Sequence, residues 1–141
     1  MDLVDILVAQ HRAVERLFAD VETTSDRAIR RDTLAVVMAA LRQHSRTEER
    51  FMYPATRDSL SAGEDIVGHE EREHRDAARL MDRIGSLEDS APGYEPLVSE
   101  LLDSVRCHVQ EEETEIFPRL RAACDPVVLE RLGADAARFS A

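Results

Sequence analysis

The chain repeats itself. His44-x-x-x-Glu48-Glu49-x-x-x-Tyr53-Pro54 returns 64 residues later as His108-x-x-x-Glu112-Glu113-x-x-x-Phe117-Pro118. Ahead of each copy stands a second pair of related stretches. His11-Arg12-Ala13-Val14-Glu15-Arg16-Leu17-Phe18 is followed, 63 residues on, by His74-Arg75-Asp76-Ala77-Ala78-Arg79-Leu80-Met81. Self-similarity at a fixed offset marks one supersecondary unit used twice. Two copies of one helical hairpin, facing each other about a pseudo-twofold axis, would carry four His and two Glu into a common central layer.

Hydrophobic periodicity makes the unit helical. The first helix is predicted to start after Asp2, a good N-cap, and to run to about Glu22. Leu3, Leu7, His11, Val14, Phe18 and Val21 share its inner face. The second runs from Arg27 to Tyr53, with Leu34, Val37, Leu41, His44, Glu48 and Phe51 inward. Pro54, which lacks an N–H and clashes one turn back, is expected to break it. Residues 57–63 then read as a loop. The third helix spans Glu64 to Ile84, with Val67, Glu70, His74, Ala77 and Met81 on one face, and residues 85–93 form a loop. The fourth runs from about Glu95 to Phe117, presents Leu101, Val105, His108 and Glu112, and should end at Pro118. A short fifth helix is predicted after Asp125-Pro126, stopped by Gly133 and followed by a loose tail. The fold class is therefore all-α: an up-down-up-down four-helix bundle over residues 1–121, with residues 122–141 packed on the same domain.

Composition narrows what such a bundle can do. Of 141 residues, 43% are apolar but only 4% aromatic, so the core must be aliphatic. The formal net charge of −11 repels phosphate backbones and anionic membranes, so neither nucleic acid nor a lipid surface is an expected partner. Cys107 and Cys124 are too few for a disulfide framework or a zinc motif and read as reduced thiols. The N-terminal MDLVDILVAQHR has no basic n-region, and no stretch approaches the roughly 20 apolar residues that span a bilayer. A cytoplasmic protein is expected, a monomer or weak homodimer.

The polar residues on the inner faces point to metal. Positions i and i+4 lie one turn apart on the same face, so His44 projects with Glu48 and His108 with Glu112. A buried carboxylate beside a buried imidazole is costly unless something compensates it, and a cation does so directly. Imidazole with carboxylate suits iron, and also manganese or zinc; no thiolate set competes. Each half supplies two His and one Glu, and Glu48 and Glu112 can each bridge a pair of ions.

At these residues the sequence resembles the hemerythrin-like (HHE cation-binding) family, over about residues 2 to 121. The shared pattern is a His on the first helix, His-x-x-x-Glu on the second, His on the third and His-x-x-x-Glu on the fourth, with the Tyr-Pro and Phe-Pro endings also similar. The resemblance implies two iron ions, which an oxo or hydroxo group can bridge. One would take His11 and His44, the other His74 and His108, with Glu48 and Glu112 bridging. Family members bind O2 reversibly, sense oxygen or iron, or act on peroxide or nitric oxide.

One departure matters. Oxygen-carrying members have His-x-x-x-His on the third helix, whereas here the residue four before His74 is Glu70. His69 lies about 140° away from His74 on a regular helix, so Glu70 is the expected extra ligand, unless a local π-bulge brings His69 in. A Glu there makes the site more anionic, which favours the ferric state and works against clean release of O2. Catalase-like removal of peroxide becomes the leading reading. The alternatives are non-enzymatic binding or sensing of O2, nitric oxide or iron, and a metal-free helical interaction domain. Tyr53, nine positions after His44 and about half a turn off its face, is expected to pack between hairpins, with a role at the metal as the sharper option. Glu15, one turn after His11, is a lesser ligand candidate, because its counterpart is Ala78. Glu49 and Glu113 are expected outside the ligand set.

Overall fold

The computed structural model describes all residues from 1 to 141. Four rods carry the architecture: α1 (Leu3–Thr23), α2 (Arg27–Thr47), α4 (Gly63–Ser86) and α5 (Tyr94–Glu111). Two shorter segments, α3 (Tyr53–Ser59) and α6 (Phe117–Ala123), extend α2 and α5, and α7 (Pro126–Ser140) closes the chain. The α1–α2 and α4–α5 hairpins form the expected all-helical bundle.

Capping fixes the starts. The Asp2 carboxylate accepts the Asp5 N–H at 2.8 Å, and the Asp5 carboxylate accepts the Asp2 N–H at 3.0 Å. Two donors left over at the helix start are thereby satisfied reciprocally. Asp26 caps α2 and Asp125 caps α7 in one direction only, each accepting one backbone N–H.

Neither proline breaks its helix. Between α2 and α3, residues Glu48–Met52 form a π-helical turn, and Glu112–Ile116 do the same between α5 and α6. In each, the N–H after the turn reaches back five residues, from Tyr53 to the Glu48 carbonyl and from Phe117 to the Glu112 carbonyl. The wider turn makes room for the ring of Pro54 or Pro118 one residue later. It also absorbs the missing donor. Helix therefore continues to Ser59 and to Ala123, and the predicted loop over 57–63 shrinks to Leu60–Ala62. The sequence reading allowed for a π-bulge, but near His69; α4 runs through that region without one.

The C-terminal prediction also needs correction. Gly133 does not stop α7, which continues to Ser140 and packs against α1 and α2. The glycine serves a close approach instead: a Cβ there would collide with the Met1 carbonyl oxygen and the Asp2 backbone. Phe51, expected inward, packs edge-to-face on Phe139 of α7, with ring centroids 5.6 Å apart.

The apolar core is divided in two. One cluster contains Val14, Phe18, Leu34, Leu41, Leu101 and Val105; the other contains Leu3, Leu7, Met52, Phe117, Leu120 and Leu129. On every rod the residues that separate the clusters are polar and turned inward. No helix is long and apolar enough to cross a membrane.

Candidate metal centre

The dividing layer consists of His11 from α1, His44 from α2, Glu70 and His74 from α4, His108 from α5, and Glu48 and Glu112 from the first positions of the π turns. Glu48, Glu70 and Glu112 are completely buried, and His11 and His44 nearly so. These ligand atoms fall into two groups that share Glu48. One is His11, His44, Glu48 and Glu112; the other is Glu48, Glu70, His74 and His108. Helical spacing brings this about: each His-x-x-x-Glu pair spans one turn of an inward face.

All four imidazoles use their ring nitrogens alike. The Nε2 atoms point inward. His11 Nε2 lies 3.1 Å from Glu112 Oε1, and His74 Nε2 lies 3.1 Å from Glu48 Oε1. His108 Nε2 sits 3.0 Å from Glu70 Oε2 and 3.2 Å from Glu112 Oε2, and His44 Nε2 lies 3.5 Å from Glu48 Oε2. The Nδ1 atoms point outward to oxygens. His11 Nδ1 meets Glu113 at 2.6 Å, His44 Nδ1 meets Gln10 at 2.6 Å, and His108 Nδ1 meets Glu73 at 3.0 Å. His74 Nδ1 meets the Tyr53 hydroxyl at 2.9 Å, with Glu49 at 3.4 Å. A carboxylate or amide oxygen can only accept, so at His11, His44 and His108 Nδ1 carries a proton and donates it, and Nε2 is the nitrogen that a cation in the layer would take. This is how metal-bound histidines are held.

The layer is ill-satisfied by its own members, in the way that a cation site should be. His11 Nε2 and His44 Nε2 face each other at 3.1 Å, and with both protons on Nδ1 neither has one to share. His108 Nε2, Glu48 Oε2 and both oxygens of Glu70 and of Glu112 are buried with no hydrogen-bond partner, despite their proximity. Buried polar atoms left so are rare and costly. Charge tells the same story. Burial, reinforced by His44, lowers the His11 pKa to about 4, so this imidazole stays neutral. Burial also acts to lower His74 and His108, but Glu48 outweighs it at His74, and Glu112 with Glu48 outweighs it at His108, so both are raised. Burial and the neighbouring Glu48 charge push Glu112 well up, while His44 and other hydrogen bonds hold Glu48 down against its own burial. Without an ion, protons must supply the positive charge that the carboxylates need. The residues fit a cation site.

The duplication extends to the supports. Offsets of 63 and 64 map Gln10 onto Glu73, Glu49 onto Glu113 and Tyr53 onto Phe117. Each pair occupies equivalent places. Gln10 and Glu73 hold His44 and His108, and Glu113 and Glu49 face His11 and His74. Phe117 stacks on His11 at 5.7 Å, and Tyr53 on His74 at 5.6 Å. Glu70 maps onto Leu7, a buried aliphatic, so the extra carboxylate belongs to one half only.

Of the three lesser sequence candidates, Tyr53 reaches the layer, while His69 and Glu15 lie outside it as their helix faces predict. Tyr53 does more than pack. The π turn inserts an extra residue, so nine positions act as about eight and the ring rotates by about 100° toward His74. Burial, then the nearby carboxylates, raise the Tyr53 pKa, so the phenol stays protonated. His69 faces outward, 3.0 Å from Glu73 and 3.1 Å from Glu111, and has no place in the buried layer. Glu15 lies on the surface in an ion pair with Arg106 and contributes nothing inward. Gln10 and Glu73 went unnoticed in the sequence, although the repeat offset pairs them.

Beside the layer lies a cavity of about 40 Å³, bounded by the four imidazoles and by Val14, Leu41, Met81 and Val105. That is room for a small molecule next to the imidazoles. Cys107 and Cys124 are both unpaired, the first exposed and the second buried.

A helical bundle with a buried histidine–carboxylate layer has the donor set of a cation-binding protein. The chain matches the Hemerythrin HHE cation binding domain over residues 2–134 and belongs to that family. Its structure is similar to the crystal structure of a hemerythrin HHE cation binding domain-containing protein from Mycobacterium kansasii. The TM-score is 0.85 at 22% identity, covering 99% of this chain and 85% of that one. In sequence it is 26% identical over 121 residues to a curated protein of Nostoc sp. named DNA nickase. That match covers 86% of this chain but 34% of the relative, so the chain spans about a third of that protein's length.

Proposed function

We propose that the layer holds two iron ions and that the protein removes peroxide, converting two molecules of it to water and dioxygen. Glu70 carries this reading. It is completely buried with both oxygens unpartnered, where oxygen-carrying relatives have a histidine. A third carboxylate stabilises the more highly charged ion and so works against reversible uptake of neutral O2. His11, His44, Glu48 and Glu112 would hold one ion and Glu48, Glu70, His74 and His108 the other. Manganese or zinc would suit the same donors. Bound iron would supply two electrons and take them back, which is the whole redox requirement of the reaction.

The chain's own residues supply the rest. Glu113, Gln10, Tyr53 and Glu73 keep each imidazole in the orientation and tautomer that leaves Nε2 free. Val14, Leu41, Met81 and Val105 give the cavity beside the imidazoles an apolar wall. The net charge of −11 favours a small neutral substrate over DNA, so the name of the Nostoc relative is not carried over to this chain.

Purified iron-loaded protein should evolve oxygen from added peroxide, and His44→Ala should not. No evolution from protein of full iron content would sink the enzymatic reading. Negligible iron, manganese or zinc by elemental analysis would sink the metal reading altogether. A second reading has its own support: a cavity of about 40 Å³ beside the imidazoles also suits reversible binding of O2 or nitric oxide. Spectral changes that reverse on removal of the gas, without peroxide turnover, would favour it.

A further inference from the structure

Outside the buried layer, one other group of side chains gathers its ligand atoms closely enough for a single cation: His69, Glu73 and Glu111. His69 and Glu73 are one turn apart on α4, the same i,i+4 relation as the two inward pairs, and Glu111 approaches from α5. His69 Nε2 is 3.0 Å from Glu73 Oε1 and 3.1 Å from Glu111 Oε1. Their side chains are 47%, 28% and 32% exposed, so an ion from solution can reach them.

Two observations separate this group from an ordinary surface ion pair. First, no arginine neutralises it. Glu113, the acid beside His11, is clamped by Arg12 at 2.7 Å, whereas Glu73 and Glu111 face only imidazoles at ion-pair distance. Second, the group adjoins the buried layer through one side chain. Glu73 Oε1 is also 3.0 Å from His108 Nδ1. A carboxylate has two oxygens, so Glu73 can hold an ion with one while accepting from His108 with the other. The equivalent side chain in the other hairpin is Gln10, an uncharged amide engaged with Ser140 at 3.0 Å, so only one half of the molecule has this arrangement.

We propose that His69, Glu73 and Glu111 form an outer site for a labile divalent first-row metal ion, from which the buried centre is filled. The loading role rests on the reading of the buried layer as a metal centre. One imidazole and two carboxylates, with water in the remaining positions, suit Fe²⁺, Mn²⁺ or Zn²⁺. The absence of thiolates and the open setting make the ion exchangeable, as a loading site requires. The path inward is short, because the ion's own ligand Glu73 already touches a ligand of the inner pair.

The test uses the full-length protein with its buried centre loaded and its iron content measured beforehand. Mn²⁺ is then added, and the free aquo ion is followed by electron paramagnetic resonance. Wild type should take up about one further ion per chain. His69→Ala and Glu111→Gln should take up none, with secondary structure unchanged; Glu73 is left intact because it supports His108. In a second arm, metal-stripped proteins are given Fe²⁺ anaerobically and its incorporation is timed. Both variants should reach the wild-type content several-fold more slowly. Equal manganese uptake by wild type and His69→Ala would overturn the outer site. Equal rates of iron incorporation would overturn the loading role. Iron-free starting protein that still takes up manganese through His69 would sink the buried centre and the loading role, and leave the outer site standing.

Discussion

At the residue scale, Glu70 is where chemistry and stability pull apart. It is fully buried, its oxygens have no hydrogen-bond partner, and its counterpart under the repeat is Leu7. Its one near cationic group is His108, at 3.0 Å, and His108 keeps Glu112 and Glu73 when Glu70 is removed, so an apolar residue of similar size in place of this third carboxylate leaves no imidazole unpaired. Glu70→Leu, which makes the second half like the first, should therefore stabilise the metal-free protein. The gain should be roughly 1–4 kcal/mol, by analogy with buried ionic groups replaced by packed hydrophobics. The same variant should hold less metal when loaded. Urea unfolding in the presence of a chelator checks the first half and elemental analysis the second; a metal-free variant no more stable than wild type would contradict the account. The four inward His with Glu48 and Glu112 were legible in the sequence because a period of 3.6 and a twofold repeat each select them independently, whereas Glu70 follows from the period alone. The outer partners of these ligands were not legible. The chain has 29 acidic residues to face an outward nitrogen. Periodicity within one helix does not say which neighbouring helix comes close. Applying the repeat offset to the residues beside each ligand would have paired Gln10 with Glu73 and Glu49 with Glu113.

At the scale of elements, the two π turns explain what helical periodicity misread. A proline inside an apolar repeat ordinarily means a stop, because its ring needs space and its nitrogen offers no donor. Widening the turn just before the proline meets both demands without ending the helix. It also carries Glu48 and Glu112 at its start and swings Tyr53 and Phe117 against His74 and His11. The Tyr-Pro and Phe-Pro endings are thus parts of the site's scaffold. The helix start at Asp2 is ordinary by comparison and gives a pH prediction. Burial would raise the Asp2 pKa, but hydrogen bonds from Arg121 and from the Asp5 N–H outweigh it and hold the carboxyl below its usual 3.8. Between the two values the unfolded chain binds more protons than the folded one, so stability rises with pH there. The contribution is fully present above the unfolded value and is lost as pH falls through the folded one. Asp2→Asn, which keeps a capping oxygen but not the charge facing Arg121, should therefore show a shallower loss of stability on acidification below about pH 4. Urea titrations at a series of pH values decide it, and parallel slopes for the two proteins would rule it out.

At the scale of the molecule, the bundle is two apolar clusters stacked on a polar layer, and the layer is the weakest stratum when no cation fills it. The clusters meet through it on all four rods, so its state is felt by both. The two candidate ligand groups share Glu48, and Glu112 lies within 3.2 Å of an imidazole from each half. Ions on the two sides would therefore bind as a coupled pair, each correcting charge that the other leaves. Because the folded bundle gathers these ligands and the unfolded chain does not, bound metal adds to folding stability. One site at a free ion concentration of about 100 times its dissociation constant contributes about 2.7 kcal/mol. Stripping metal from loaded wild-type protein with a chelator should lower its melting temperature clearly. In Glu70→Leu the drop should be smaller, since that variant begins with less bound metal and a better metal-free core. Calorimetry of the two proteins, each with and without chelator, gives the four values required. Identical melting of loaded and stripped wild type would mean that the layer stands without a cation, and the unpartnered Glu48, Glu70 and Glu112 would then need a different explanation.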